Sequence, residues 1–211
     1  MRCCNKSITH GVYAVIGGSH GIGAKTVELL KKEGHEVINI DLLKGDITAD
    51  LVTLEGRQKV IDELHAMHPE GLDGLILSAA VSGACGSLTK IISLNYFGAV
   101  SVIKGTYDLL EKKHGSCVAV SSNVISQGIA RMDIADLLNN CGDDGHHVHS
   151  AKASLNALPI PTRYGQETFM DPKEIALAIV FLASEKACGI NGIVMFVDGG
   201  TDALLNTEKV Y

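Results

Sequence analysis

The apolar run Val12-Tyr13-Ala14-Val15-Ile16 passes directly into Gly17-Gly18-Ser19-His20-Gly21-Ile22-Gly23, and this junction constrains the fold more than any other feature of the chain. A short, unbroken apolar run closed by glycines is what a strand buried on both faces looks like. Residues from about Ile22 to Glu33 then carry a helical pattern, with Val27 and Leu30 facing inward and Gly34 just past the end. A buried strand feeding a helix through a tight turn is the first half of a parallel crossover unit.

The same alternation continues along the chain. Glu36–Asp41 reads as a second strand, and Thr53–Met67 as a helix whose set Val60, Ile61, Leu64 and Met67 follows the 3.6-residue period. Leu72–Leu77 and Cys117–Ser121 read as further strands, separated by one long helix over Leu88–Lys113. Asp171-Pro172-Lys173-Glu174 opens a late helix with a capping Asp and a first-turn Pro, and Gly192–Asp198 reads as the last strand. The expectation is an α/β fold, a doubly wound parallel sheet of Rossmann type, forming one domain over residues 1–211. No repeat, low-complexity tract or linker divides the chain, and 211 residues suffice for one sizeable core.

Charge narrows the partners. The net charge is −6 and no Lys/Arg cluster stands out, which argues against nucleic acid or an anionic membrane. The apolar runs are too short to span a bilayer, and Met1–Lys6 has no apolar stretch of leader type. The six cysteines are scattered without a Cys-x-x-Cys pair, so free thiols, no metal site and a cytoplasmic location are expected.

The glycine turn carries the chemistry. Glycines let the backbone bend sharply and approach a diphosphate with no Cβ in the way, while the next helix aims its unpaired N–H groups at the phosphates. An acidic residue, Asp41, stands at the end of the second strand, the context that separates a dinucleotide-binding turn from a merely tight connection. With Gly17, Gly21, Ile22 and Gly23 matching Gly-x-x-x-Gly-Ile-Gly, the chain resembles the short-chain dehydrogenases/reductases over nearly its whole length. Val197-Asp198-Gly199-Gly200 matches the family's last-strand signature. Three stretches resemble its hydroxysteroid and coniferyl-alcohol dehydrogenase group: Ala49-Asp50-Leu51 with Glu55-Gly56-Arg57, Asn95-Tyr96-Phe97-Gly98, and Asp198–Ala203.

The resemblance implies a nicotinamide dinucleotide lying along Gly17, Ser19, His20, Gly21, Ile22 and Gly23, with Asp41 and Leu42 at the adenosine ribose and Asp50 and Leu51 (or Asp46) beside the adenine. Ala79 and Ala80, in Ser78-Ala79-Ala80, replace the usual Asn-Ala-Gly but keep small residues beside the cofactor. Asp41 favours NAD over NADP because a 2′-phosphate would meet a like charge, a preference softened by the basic neighbours His20 and Lys44. The implied reaction is hydride transfer to or from a small-molecule secondary alcohol or ketone, with Ser122 on the substrate oxygen, Lys152 on the nicotinamide ribose and Asn95 on a proton-relay water. Asn95 shares an ideal helix face with Ile91, Gly98 and Val102, so it is expected to point inward. A homo-oligomer, most simply a dimer, is the expected assembly.

Two departures stand against catalysis. The family's tyrosine lies four residues before its lysine, where this chain has Val148, a residue with no proton to give. His147 and His149 flank that position and Tyr164 follows later; a histidine can do acid–base work near neutral pH. The helix carrying Lys152 meets Pro159 and Pro161 at once, so it is expected to stop near Ala157, and the family's next strand with its Pro-Gly turn has no counterpart. The adenosine half of the site is therefore better kept than the nicotinamide half, and the expectation is either that the last strand pairs differently or that a sheet edge is left partly open.

Overall fold

The computed structural model describes residues 10–121, 136, 138, 140 and 171–197. Their sheet is five-stranded and parallel throughout, in the order β3-β2-β1-β4-β5. The strands are β1 (Val12–Ile16), β2 (Glu36–Asp41), β3 (Ile47–Thr48), β4 (Gly74–Leu77) and β5 (Ser116–Ala119). The doubly wound parallel sheet predicted from the alternation is thus the observed fold. β1 lies at its centre, between β2 and β4, so the chain leaves β1 in opposite directions on its two sides. That reversal opens a crevice beyond the carboxyl ends of β1 and β4, where ligands settle in sheets of this kind.

The pleat of β1 sorts the core into two layers. Val12, Ala14 and Ile16 face one side with Ile38, Ile40, Leu75 and Leu77, against Val60 and Leu64 of α2 (Leu54–Met67). Val102 of α4 (Ala99–Gly105) and Leu109 of α5 (Tyr107–Lys113) complete that layer. Tyr13 and Val15 face the other side with Val37 and Ile76. They meet Leu30 of α1 (Gly21–Lys32) and Ile179, Val180 and Ala183 of α6 (Pro172–Ala183). Helices on both faces explain why β1 and β4 read as unbroken apolar runs: no position on them reaches water.

Several elements depart from the predicted ones. The helix expected over Leu88–Lys113 is divided into α3 (Leu88–Ile92), a π-helical turn at Ser93–Gly98, α4, and α5 beyond Thr106, whose hydroxyl turns back to the Val102 carbonyl. The short β3 went unpredicted because two residues show no period, and Met67, predicted inward, is exposed on the last turn of α2. The capping Asp predicted for α6 is present, Asp171 accepting from the Lys173 amide, and Glu174 reaches back to the Asp171 amide to complete a capping box. The predicted last strand is corrected: residues 193–197 take no part in the sheet. Ile193 and Val194 are exposed instead. Their β-propensity is real, but a strand exists only beside a partner, and among the described residues β5 pairs with β4 alone.

Candidate functional site

The glycine turn sits at the crevice. Gly17 has φ +81°, and a Cβ there would lie 2.6 Å from the Ala79 amide nitrogen, so only glycine allows the turn to press against the loop after β4. A Cβ on Gly23 would strike the Gly17 carbonyl, which locks the first turn of α1 onto the turn it grows from. Gly21 is the opposite case. Its φ is +54° and, among the described residues, nothing lies within 4 Å of its missing Cβ, so this glycine borders open space there. No side chain caps the N-terminus of α1, and its first turn carries no acidic residue. A bare helix N-terminus with a flat glycine surface before it is fitted to a negatively charged group.

Asp41 closes the other side of the turn. One carboxylate oxygen accepts from the Ser19 amide at 3.0 Å and the other from the Leu42 amide at 2.7 Å. A carboxylate has about four acceptor positions, so these two bonds among the described residues leave capacity for further donors such as hydroxyls. Ser19 also donates from its hydroxyl to the Lys44 carbonyl and receives the Asn39 amide at 3.1 Å. Asp46 turns away from the crevice, accepting from the Asn39 amide at 2.8 Å and so bracing the loop between β2 and β3. His20 and Leu42 are exposed at the rim, and Ile22 packs partly into the core behind the turn.

Asp50 and Leu51 divide their work. The Asp50 carboxylate is exposed and accepts from the Val52 amide at 3.0 Å, shaping the turn into α2, which Thr53 caps. Leu51 is 6% exposed and belongs to the core. Ala79 lies against Gly17, and Ala80 is exposed.

Asn95 does not point inward as predicted. It is exposed, within the π-helical turn, and its side-chain amide forms a two-way clasp on the loop after β4: Oδ1 accepts from the Val81 amide at 2.9 Å and Nδ2 donates to the Val81 carbonyl at 2.9 Å. The extra residue in a π-turn shifts every position before it relative to those after it, so ideal α-periodicity misassigned the face. Ser122 and Lys152 lie outside the described residues, as do His147, Val148, His149 and Tyr164. Ser121, immediately before the predicted serine, is exposed at the carboxyl end of β5.

One residue of this region was not singled out for a role in the sequence. Arg57 is 2% exposed, with Nε donating to the Leu51 carbonyl at 2.7 Å and Nη2 donating to the carbonyls of Val52 at 3.1 Å and Ser93 at 2.7 Å. The signal was there: three and seven residues before Val60 and Leu64, Arg57 falls on the apolar stripe of its helix. Among the described residues no cluster of His, Cys, Asp and Glu is arranged to hold a metal ion. No helix among them is long and apolar enough to cross a membrane.

Against this geometry stand the similarities to known proteins. A family model described as short chain dehydrogenase matches residues 11–134. The chain is 26% identical to the 3-alpha-hydroxysteroid dehydrogenase/carbonyl reductase of Comamonas testosteroni, the match covering 94% of this chain and 99% of that protein. That alignment runs over 255 positions, so the relative carries residues for which this 211-residue chain has none. A coniferyl-alcohol dehydrogenase from a Pseudomonas species (strain HR199) is 32% identical over 140 residues, covering 64% of this chain and 51% of its own. The crystal structure of the 3-alpha-hydroxysteroid dehydrogenase from Pseudomonas sp. B-0831, complexed with NADH, superposes with a TM-score of 0.84 at 27% identity, covering 94% of this chain and 100% of that one.

Proposed function

The chain belongs to the short-chain dehydrogenase family, and from that premise we propose that it is an oxidoreductase binding a nicotinamide dinucleotide, NAD in preference to NADP, and acting on a secondary alcohol or ketone. The observation that carries the reading is the open space at Gly21 in front of the uncapped α1, with Asp41 across the turn. When bound, the dinucleotide supplies the hydride donor or acceptor that amino-acid side chains lack. The amides of the turn and of α1 hold its diphosphate, and the remaining acceptor capacity of Asp41 holds ribose hydroxyls. A 2′-phosphate brought to Asp41 would be repelled, which supports NAD. Ser122 would orient the substrate oxygen, Lys152 would hold the nicotinamide ribose, and Asn95 would order a relay water, as the family pattern implies. The likeness to hydroxysteroid and coniferyl-alcohol dehydrogenases makes alicyclic and aromatic alcohols the substrates to try first.

Val148 in place of the tyrosine supports a second reading, a family member that holds the nucleotide without turning it over and acts as a regulator or partner subunit. Titration calorimetry with NADH, NADPH and AMP, followed by turnover assays reading nicotinamide absorbance, separates the two. Tight NADH binding with turnover supports the oxidoreductase. AMP binding as tightly as NADH, with no turnover, supports the binding module. No binding of any of the three removes both. Gly21→Ala should weaken binding severely, because its methyl enters the space before α1; the left-handed φ of +54° adds a stability cost of about 1–3 kcal/mol, so the loss is read on a variant shown by its melt to be folded.

A further inference from the structure

Two of the stretches that resemble the hydroxysteroid and coniferyl-alcohol dehydrogenase group, Ala49-Asp50-Leu51 with Glu55-Gly56-Arg57 and Asn95-Tyr96-Phe97-Gly98, are distant along the chain but meet in the fold. Gly56 lies so close to the Asp50 carbonyl that a Cβ would clash with it, which clamps residues 50–52 onto the start of α2. At Gly98 a Cβ would stand 3.3 Å from the Leu51 carbonyl, so the π-helical turn abuts the same loop. The Arg57 guanidinium fills the junction. It takes the Leu51 and Val52 carbonyls on one side and the Ser93 carbonyl on the other, with its centre 5.9 Å from the Phe97 ring centroid.

Ser93 opens the π-helical turn. In an unbroken α-helix its carbonyl would accept from the amide four residues on; a side-chain donor inserted into that ladder is a recognised cause of local distortion. An Arg in an apolar layer is costly, since it cannot shed its charge and an apolar residue of similar volume would pack there without the desolvation penalty. Carbonyls from two separate segments give the guanidinium a reason to be there that simple packing does not.

From these contacts we infer that Arg57 is a positioning residue: by holding the Ser93 carbonyl against the fixed 50–52 loop, it sustains the π-turn that brings the Asn95 amide onto Val81. This assignment rests on the proposed function only where it concerns turnover. Its structural part can be tested without substrate.

The test compares Arg57→Met and Arg57→Lys with the parent protein, by amide hydrogen exchange and by the NMR signals of the Asn95 side-chain amide. In Arg57→Met, exchange at Val81 should accelerate at least tenfold relative to core amides such as Ile76, and the Asn95 side-chain signals should move to solvent-exposed values. Arg57→Lys, which keeps the charge but cannot span both segments, should change in the same direction. Should the Met variant fail to fold, the Lys variant decides alone. Unchanged Val81 exchange in a folded variant, or acceleration of Val81 and Ile76 in equal proportion, overturns the assignment in favour of a purely packing role. In turnover, kcat should fall about tenfold while the KM for the nucleotide stays within twofold. If the parent protein shows no turnover, the functional reading fails while the exchange experiment still decides the role of Arg57.

Discussion

The two flanks of the sheet are built to different standards. On the β1–β2 flank every strand position is paired, the glycine turn is locked at Gly17 and Gly23, and hydrogen bonds link Ser19 to Asp41 and Asn39 to Ser19 and Asp46, though the buried Asn39 Oδ1 has no partner among the described residues. On the β5 flank, strand positions alternate between half-buried and exposed, and the apolar residues that follow α6 lie outside the sheet. The same residue types are used in both places. Val15 is fully buried and Val194 is 79% exposed, so hydrophobicity alone did not decide which segment became a strand. A neighbouring strand did, because the ladder satisfies the backbone groups that a lone extended segment leaves to water.

That contrast can be broken by substitution. Leu75→Ala, at a fully buried position of β4, should cost about 2–5 kcal/mol in denaturant unfolding, whereas Val194→Ser should change stability by no more than about 0.5 kcal/mol. A large loss from Val194→Ser would mean that the 193–197 segment is covered in solution by something, a second copy of the chain being the first to examine by sedimentation.

The glycines give the next largest difference. Gly17→Ala forces a left-handed φ and drives a methyl into Ala79, and should lower stability by about 1–3 kcal/mol while weakening NADH binding. Gly189→Ala, with open space around it and no positive φ, should raise or lower stability by less than about 0.5 kcal/mol. If the two cost the same, the glycine turn is not the rigid element described here.

The smallest effect lies on the outer surface between α2 and α5 and reports on how those two helices meet. Both ring nitrogens of His65 face oxygen, the Ile61 carbonyl at 2.8 Å and the Asp108 carboxylate at 2.9 Å, with Lys112 sharing Asp108. The Ile61 carbonyl, then Asp108, raises the His65 pKa above its ordinary value. A raised pKa in the folded state means that the stabilisation is complete below the unfolded value of about 6.5 and is lost as pH rises through the folded one. The pair is partly exposed and screened, so His65→Gln should cost no more than about 0.5 kcal/mol, seen in urea melts below about pH 6 and fading at higher pH as the folded-state imidazole loses its proton. A penalty that persists at the higher pH would show that His65 acts through packing and not charge.

The parts of the site legible in sequence were those made by local backbone. The lock of Gly23 on Gly17, the contact of Asp41 with the Leu42 amide and the capping Asp171 of α6 each depend on residues within a few positions of one another, so their spacing carries their geometry. The parts that were not legible depend on contacts between distant segments. Asn95 was placed on the wrong face because a single Arg–carbonyl contact, 36 positions apart in sequence, accompanies a change of helix type. Leu51 places its side chain in the core and gives its carbonyl to Arg57, a contact that no local spacing carries.

By itself the sequence determined the crossover alternation, the two-faced burial of β1 and β4, and the glycine hollow at the head of α1, because each follows from local sterics and from apolar period. Tertiary structure alone decided the break in the helix that carries Asn95, the burial of Arg57, and the exclusion of residues 193–197 from the sheet. Those outcomes turn on which backbone groups find a partner, and a partner is supplied by the fold, not by the neighbouring residues.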